Sequence, residues 1–394
     1  MTGRRWTSMA IAGTLALAVA GSGLTWFFKG RGGGGNPPAP ATAEAARSPL
    51  KTLAEGIRGG DGRALVALCD RVTQAEKQAG PISEAEAGDL IAVLDGLRAG
   101  FSRFDVVGRA SAIAAASHIL DRFKAEPAPR EWFDALRPIH SLILAGLADP
   151  GVDVRAAALT EVGRHWNWLP GRAMTPAEET TLAEWKDAFY EPAKRCLGDR
   201  EPKTRAAAVV CLGSASIDSM AAPAAAYVED PDSGGVRYKT LMIFANRPSL
   251  LTEDAVIKRL HDHETGIPEL AELILKGRGL SKDQIFLGRQ MYNPRPEVRS
   301  SVIPLLRERS DIDPEVWLLQ LSRDADEHVR AKAVEALADL ESPRVDQRLR
   351  EMASSDTSAT VRAAAGKHVA KAVHQTTAAL PPLPGSPSLN PRAN

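Results

Sequence analysis

The sequence predicts an all-α protein, a right-handed α-solenoid of stacked antiparallel helix pairs, and two observations support this prediction. A turn residue, usually Asp, is followed six positions later by Arg and then by small apolar residues. The residue before the Arg falls at 204, 236, 267, 298, 329 and 361, so the successive differences are 32, 31, 31, 31 and 32. A period of about 30 residues is typical of two-helix repeats that bury their apolar faces by stacking.

One unit, residues 312–342, illustrates the helix signals. Asp313 and Pro314 are residues that favour a helix start, and a first helix with Leu318 and Leu321 on its apolar side follows. After a turn at 323–326, apolar residues recur at three-to-four spacing on a second helix: Val329, Ala333, Val334, Leu337 and Leu340. Neither helix buries its stripe alone, so the pattern predicts stacking on the neighbouring units.

The recurring Asp and Arg residues predict a ladder of charges that fixes the spacing of the repeats. Each Asp is expected to cap the second helix of its unit, and each Arg to reach its own or the next unit's Asp. The predicted members are Asp149, Arg155, Asp199, Arg205, Arg237, Asn293, Arg299, Asp324, Arg330, Asp356 and Arg362. Paired charges agree with the balance of 49 basic against 49 acidic residues, and this zero net charge disfavours a general nucleic-acid binder.

Three local departures interrupt this regular pattern. The unit at 230–237 has one extra residue between Asp and Arg, and the unit at 262–268 has Pro268 where the Arg belongs. Both are expected faults in the ladder. Pro304 lies inside an apolar helical pattern and is expected to kink or open that helix.

The repeated D-x-x-x-V-R-x-x-A-A pattern resembles the HEAT repeat family, in particular the short HEAT-like repeats named after phycobilisome lyases. The resemblance covers residues 138–374 and implies an armadillo-like helical fold. Relatives of this kind include scaffolds, transport factors, chromophore lyases and a di-iron hydroxylase. The hydroxylase needs several His-Glu pairs around one cavity, whereas this chain has only His263-Glu264, so hydroxylase activity is not expected.

The N-terminus, residues 1–29, is predicted to be a membrane anchor or a signal segment. Met9 to Phe28 is an uncharged apolar run of 20 residues (28 − 9 + 1), about the length that spans a bilayer. Arg4 and Arg5 favour an N-terminus that stays inside, which makes this a single-pass membrane protein with an extracytoplasmic solenoid. Export after cleavage near Ala20 is the alternative. Residues 30–48 are predicted to be a Gly/Pro-rich linker.

Three further segments complete the predicted organisation. Residues 49–137 are expected to be an irregular helical start of the solenoid, and residues 375–394 a disordered Pro-rich tail. From Val154 to Thr204 is 50 residues (204 − 154), longer than one repeat, so an insertion is predicted at about 165–181. Its Trp166 and Trp168 are candidate partner-binding residues, or they fold back over the edge of the solenoid.

No catalytic motif or cluster of metal ligands is recognisable, so no catalytic residue, metal or cofactor is predicted. His261 and His263 would point to different sides of a helix, which disfavours a shared metal. The three cysteines are predicted to be buried thiols, and a disulfide between Cys196 and Cys211 is the alternative if the chain is exported.

The predicted function is a non-catalytic, membrane-tethered scaffold that binds a protein or peptide, with no small-molecule ligand and no nucleic acid expected. The alternatives are a HEAT-like lyase-type enzyme with a site on the concave face or, third in rank, a solenoid nucleic-acid binder.

Overall fold

The computed structural model describes residues 48–75, 82–123, 131–167, 169, 173–308 and 313–378. Helices and short connections make up all of these residues, with no strand among them. The all-α prediction is therefore confirmed for the described part of the chain. The predicted anchor or signal segment (1–29) and almost all of the linker lie outside these residues. No helix within them is long and apolar enough to cross a membrane.

The helices, numbered in chain order, form successive antiparallel pairs. The pairs are α1 (Pro49–Gly59) with α2 (Gly62–Ala75), α3 (Glu84–Gly100) with α4 (Val106–Arg122), α5 (Trp132–Leu147) with α6 (Val152–Trp166), α8 (Tyr190–Arg195) with α9 (Pro202–Gly213), α10 (Asp218–Ala225) with α11 (Gly234–Phe244), α12 (Glu253–Lys258) with α13 (Ile267–Gly277), α14 (Lys282–Met291) with α15 (Pro296–Ser300) and α16 (Val302–Glu308), α17 (Pro314–Leu321) with α18 (Glu327–Leu337), and α19 (Pro343–Ser355) with α20 (Ala359–Ala378). Helix α7 (Pro176–Ala188) is extra. Second helices of neighbouring pairs pack on one another, as in a solenoid.

The unit at 312–342 follows its sequence signals closely. Asp313 is the N-cap of α17, and its carboxylate accepts the backbone N–H of Glu315 at 2.9 Å. On α18 the stripe formed by Val329, Ala333, Val334 and Leu337 is buried. Burying one such aliphatic side chain contributes about 1.5–3 kcal/mol, which explains why the pattern specifies stacking.

Three first helices end in the same way, with a 3₁₀ turn placed directly before a ladder Asp. The turns are Cys196–Gly198, Ala226–Glu229 and Arg259–His261. Asp199 and Asp262 follow two of them in extended backbone, with φ, ψ of −65°, 141° and −62°, 137°. The chain therefore leaves each first helix at a defined angle, and this sets the position of the ladder.

The buried apolar side chains form two clusters along the array. The N-terminal core runs from Leu50 to Ile285, and the C-terminal core from Leu287 to Ala365. The change from one to the other occurs within α14. Tyr292 is half-buried and packs against both. Although the helix pairs continue without interruption, the core is divided at this point.

Helices of the structure cross two of the predicted segment boundaries. The boundary at 137/138 falls inside α5, and α20 continues through residue 378, past the predicted end of the repeats at 374. The rest of the predicted tail, residues 379–394, lies outside the described residues. The insertion at 165–181 is partly helical: α6 continues to Trp166, and the extra helix α7 begins at Pro176.

Candidate functional site

The predicted charge ladder is present, and Arg205 illustrates its geometry. The Nε and Nη2 groups of Arg205 donate to Oδ2 and Oδ1 of Asp230, in the next repeat, at 2.7 and 3.0 Å. Its Nη1 group donates to the backbone carbonyls of Asp199 and Arg200, in its own repeat, at 3.0 and 3.1 Å. One guanidinium therefore joins the turn of its own repeat to the carboxylate of the next.

The same arrangement recurs along the array. The Arg–Asp pairs between repeats, with their Nε–Oδ2 distances, are Arg109–Asp149 (2.7 Å), Arg155–Asp199 (2.7 Å), Arg205–Asp230 (2.7 Å), Arg237–Asp262 (2.6 Å), Arg299–Asp324 (2.7 Å) and Arg330–Asp356 (3.0 Å). In the Arg155 pair the Nε–H group points away from Oδ2 and forms no hydrogen bond. The hydrogen bond of this pair runs from Nη2 to Oδ1 of Asp199, at 3.1 Å. Arg362 keeps the bonds to its own turn, at the carbonyls of Asp356 and Thr357.

The role of the Asp differs from the predicted helix cap. Its Oδ1 accepts the N–H two residues ahead, as in Asp149 to Gly151 at 2.7 Å and Asp324 to Asp326 at 2.8 Å. This is an Asx turn that ends before the first helical residue. The capping prediction was wrong because the extended Asp lies too far upstream, and another residue, such as Asp326 for α18, caps the helix.

Three of the paired carboxylates, Asp230, Asp262 and Asp356, have lowered pKa values. Burial disfavours the charge on Asp230, but the hydrogen bonds and positive charge of Arg205 outweigh burial, so its pKa is lowered. The pKa values of Asp262 and Asp356 are lowered in the same way, against burial, chiefly by hydrogen bonds from Arg237 and Arg330.

These lowered pKa values predict that the fold loses stability in acid. A carboxyl whose folded pKa lies below its unfolded value of about 3.9 contributes stability above that pH, and the contribution is lost as the pH falls through the folded pKa. Buried Glu161 acts in the opposite direction, since burial raises its pKa more than Arg164 and Ser117 lower it. We expect the net free energy of unfolding, measured by urea denaturation, to fall from pH 5 to pH 3. A constant or rising value would contradict this account of the ladder.

The faults in the ladder are fewer than predicted. The lengthened unit at 230–237 is intact, because Arg237 pairs with Asp262 at 2.6 Å and also donates to the carbonyl of Asp230. The extra residue is accommodated in the turn, where Asp230 accepts the N–H groups of both Asp232 and Ser233. Only the second predicted fault, at Pro268, is a true interruption.

At that interruption both partners are replaced together. Pro268 stands where the Arg belongs, and Asn293 stands where the next repeat would supply the accepting Asp. The amide of Asn293 keeps the Asx turn, accepting the N–H of Arg295 at 2.9 Å. Since removing one partner of a buried pair leaves an uncompensated charge, replacing both avoids that penalty. The Asn in the sequence is therefore part of the same feature as the missing Arg.

Other irregularities fall in the same segment, residues 262–302, which we call the joint. The second helix of this repeat is divided at Ser301 into α15 and α16. Pro304 explains the division, since its ring clashes with the carbonyl of residue 300 and it has no N–H. The opening predicted from Pro304 is therefore confirmed. Among neighbouring second helices of the described part, α13 and α15 have the least contact, and the two cores meet here.

The structure contains a second set of Arg contacts that the sequence analysis missed. Arg247 donates to the carbonyls of Gly213 and Ala215, at the end of α9. Arg278 donates to those of Phe244 and Ala245, at the end of α11. Each arginine therefore hydrogen-bonds carbonyl groups at the C-terminal end of the preceding second helix, which have no partner within that helix. Their spacing of 31 residues (278 − 247) was the available signal, but they have no accompanying Asp pattern.

The second helices α9, α11 and α13 carry apolar side chains at an equivalent position, half-buried at Val210 and Met242 and exposed at Leu273. Five residues after each ladder Arg position the chain has Val210, Met242 and Leu273, and Leu273 is 66% exposed. Tyr238, four residues before Met242, is 38% exposed and lies on the same helix face. We call Val210, Tyr238, Met242 and Leu273 the second-helix stripe. The equivalent positions of the other repeats are the polar Thr160, Glu335 and Lys367 and the small or cyclic Ala114 and Pro304. Large apolar side chains at this position therefore occur in three successive repeats, at 210, 242 and 273.

The extra helix α7 packs over the first helix α5. The Trp185 ring stacks on Phe133 with centroids 5.3 Å apart and on His140 at 5.6 Å. Trp166 is half-buried at the end of α6, and its indole N–H donates to the carbonyl of Lys186 at 3.0 Å. Trp166 therefore helps to attach the insertion. Trp168 lies outside the described residues, and a partner-binding role for the pair stays a prediction.

The histidines and cysteines of the described residues do not assemble into a metal site. No group of three His, Cys, Asp or Glu side chains within the described ranges could hold a metal ion. Nε2 of His261 contacts the carbonyl of Arg289 at 2.5 Å, whereas His263 is exposed. The three cysteines are free thiols in the structure. Burial raises the pKa of Cys69 to about 11 and also raises the pKa values of Cys196 and Cys211, so their reactive thiolate forms are disfavoured.

The comparison with protein families found HEAT repeats in the C-terminal part of the chain. Residues 286–369 match the family model of HEAT repeats. This segment is nearly the span of the C-terminal core, Leu287 to Ala365. The HEAT resemblance is therefore confirmed over these repeats. The comparison with curated proteins gave no match.

Proposed function

We propose that this HEAT-repeat chain is a non-catalytic scaffold that binds a protein or peptide partner on the second-helix stripe. The exposure of Leu273 is the observation that carries the proposal. Burying an exposed leucine side chain at an interface stabilises the complex by about 1.5–3 kcal/mol. Stacked repeats offer an extended surface of this kind to partners.

The position of the stripe supports a protein or peptide partner. Val210, Met242 and Leu273 occupy equivalent positions on three successive second helices. Tyr238 reaches to within 3.9 Å of the position that a Cβ on Gly266 would take, at the start of α13, and so links α11 to α13. An apolar surface with an aromatic group and a polar surround is typical of protein interfaces.

Membrane attachment is part of the same proposal and rests on the sequence. The uncharged run from Met9 to Phe28 has the length and apolarity of a bilayer span. We propose that it anchors the chain, with the repeats on the extracytoplasmic side. Deleting residues 1–29 should move the protein from the membrane fraction to the soluble fraction after cell lysis. Unchanged sedimentation with membranes would exclude this segment as the anchor.

The stripe is tested by affinity purification of the full chain from solubilised membranes. We expect Leu273→Glu to reduce recovery of the co-purifying partner at least about tenfold, since burying a carboxylate costs more than the 1.4 kcal/mol that this factor represents. Val316→Glu is the matched control, because Val316 is 60% exposed but lies on the first helix α17. Equal recovery with both variants would rule out the stripe as the binding surface.

A further inference from the structure

A cleft of about 400 Å³ opens beside the insertion, between the end of α5 and the short helix α8. Its apolar walls come from Leu144, Leu147 and Pro192, and the Arg155–Asp199 pair lies at its edge. The cleft is located where the regular spacing fails: α7 intervenes between α5 and α8, and these two first helices touch at few positions. Its volume is within the range of about 300–1,000 Å³ that is typical of ligand sites.

The charges around this cleft are not balanced. The positive charge of Arg155 is compensated by Asp199, with Nε and Oδ2 2.7 Å apart. Arg195, which also lines the cleft, is exposed and has no ion pair or hydrogen bond from its guanidinium to any described residue. Burial raises the pKa of the neighbouring Cys196 thiol, and the positive charge of Arg195 offsets part of this effect. The cleft therefore combines an apolar floor with one uncompensated cation.

We propose that this cleft binds a peptide segment in which an apolar side chain is followed by Asp or Glu. The apolar side chain would lie between Leu144 and Pro192, and the carboxylate would accept two parallel hydrogen bonds from Arg195. A planar guanidinium prefers carboxylates for this two-bond geometry. The proposal goes beyond the proposed function, since the cleft shares no residue with the second-helix stripe.

Binding at this cleft would be non-covalent. Cys196 is the reactive side chain nearest the cleft, but its thiol is buried and directed to the backbone, with Sγ 4.0 Å from the carbonyl of Leu147. Burial also raises its pKa, which disfavours the nucleophilic thiolate. Selectivity would depend on the shape of the apolar walls and on the charge of Arg195.

The test is selection of a random heptapeptide library on the full chain, followed by affinity measurement of the selected peptides. We expect the wild-type pool to be enriched in an apolar residue followed by Asp or Glu. Arg195→Glu should weaken these peptides at least about tenfold and change the enrichment to an apolar residue followed by Lys or Arg. Ala148→Trp, at an exposed position on the cleft rim, should abolish the enrichment by filling the cleft.

Two controls separate this proposal from the others. Arg200→Glu reverses an exposed charge outside the cleft and should leave the pool unchanged. Leu273→Glu alters the stripe and should also leave it unchanged, so a failure of the stripe and a failure of the cleft are distinguishable. Circular dichroism of each variant verifies the fold. A wild-type pool without acidic enrichment, or the same pool from Arg195→Glu, would overturn the proposal.

Discussion

Replacing Arg205 with Ala is expected to lower the free energy of unfolding by about 3–5 kcal/mol. The substitution leaves the carboxylate of Asp230 buried without its cation, and this is the costly way to break a buried pair. Arg205 is 6% exposed and Asp230 is 3% exposed, so the pair is largely shielded from water. It also removes the donors to the carbonyls of Asp199 and Arg200. Urea denaturation followed by circular dichroism measures the loss.

Arg362 provides a matched control for this prediction. It donates to the carbonyls of its own turn, as Arg205 does, but has no carboxylate of a following repeat among the described residues. Arg362→Ala should therefore cost only about 1 kcal/mol. The double variant Arg205→Leu/Asp230→Asn imitates the natural pair Pro268 and Asn293 and should be more stable than Arg205→Leu alone. Equal losses at Arg205 and Arg362 would show that the bond between repeats contributes little.

Leu337→Ala is expected to cost about 2–5 kcal/mol, and the loss should be confined to the repeats after the joint. Leu337 is fully buried in the C-terminal core, so its truncation leaves a cavity. In a repeat array, each repeat is stabilised by its interfaces with the two neighbouring repeats, so destabilising one repeat also destabilises its neighbours. At the joint this coupling between neighbouring repeats is weaker, because the ladder pair is missing, the second helix is divided and the N-terminal core gives way to the C-terminal core. Hydrogen exchange should therefore show loss of protection in α17 to α20, with α1 to α11 unchanged.

Leu212 is the matched position in the N-terminal core. It is fully buried and follows its ladder Arg by seven residues, as Leu337 does (212 − 205 and 337 − 330). Leu212→Ala should reduce protection in α6, α9 and α11 and leave α18 and α20 unchanged. If either substitution lowers protection equally along the whole array, the joint transmits stability like any other interface and the account of the joint is wrong.

The repeating features were predictable from the sequence because each has a short-range cause. The Asp-to-Arg spacing identified the ladder, and the apolar stripe around Val334 identified a buried helix face. Pro268 marked the interruption correctly. The lengthened unit at 230–237 misled the prediction, because the sequence shows an extra residue but not that a turn absorbs it. The Asp role was also misassigned, since an Asx turn and a helix cap use the same residue types.

Features that depend on packing between distant segments were not predictable in this way. Arg109 forms a ladder pair with Asp149, but its own turn lacks the Asp of the repeat signature. The cleft beside Arg195 depends on how helix α7 of the insertion separates the first helices α5 and α8. Leu273 has the same residue type as the core leucines, and only the observed packing identifies it as exposed. The architecture was therefore predictable from the sequence, whereas the second-helix stripe and the cleft were identified only in the structure.

The most direct test of the central claim, that the second-helix stripe is the binding face, is photo-crosslinking in cells. A photoreactive amino acid is placed at position 242 or 273, and in control chains at the exposed first-helix positions 286 or 316. The account predicts a discrete crosslinked protein from 242 and 273 that is absent from the controls and is lost when Tyr238→Glu is added. The same adducts from 286 and 316, or no adduct from 242 and 273, would contradict it.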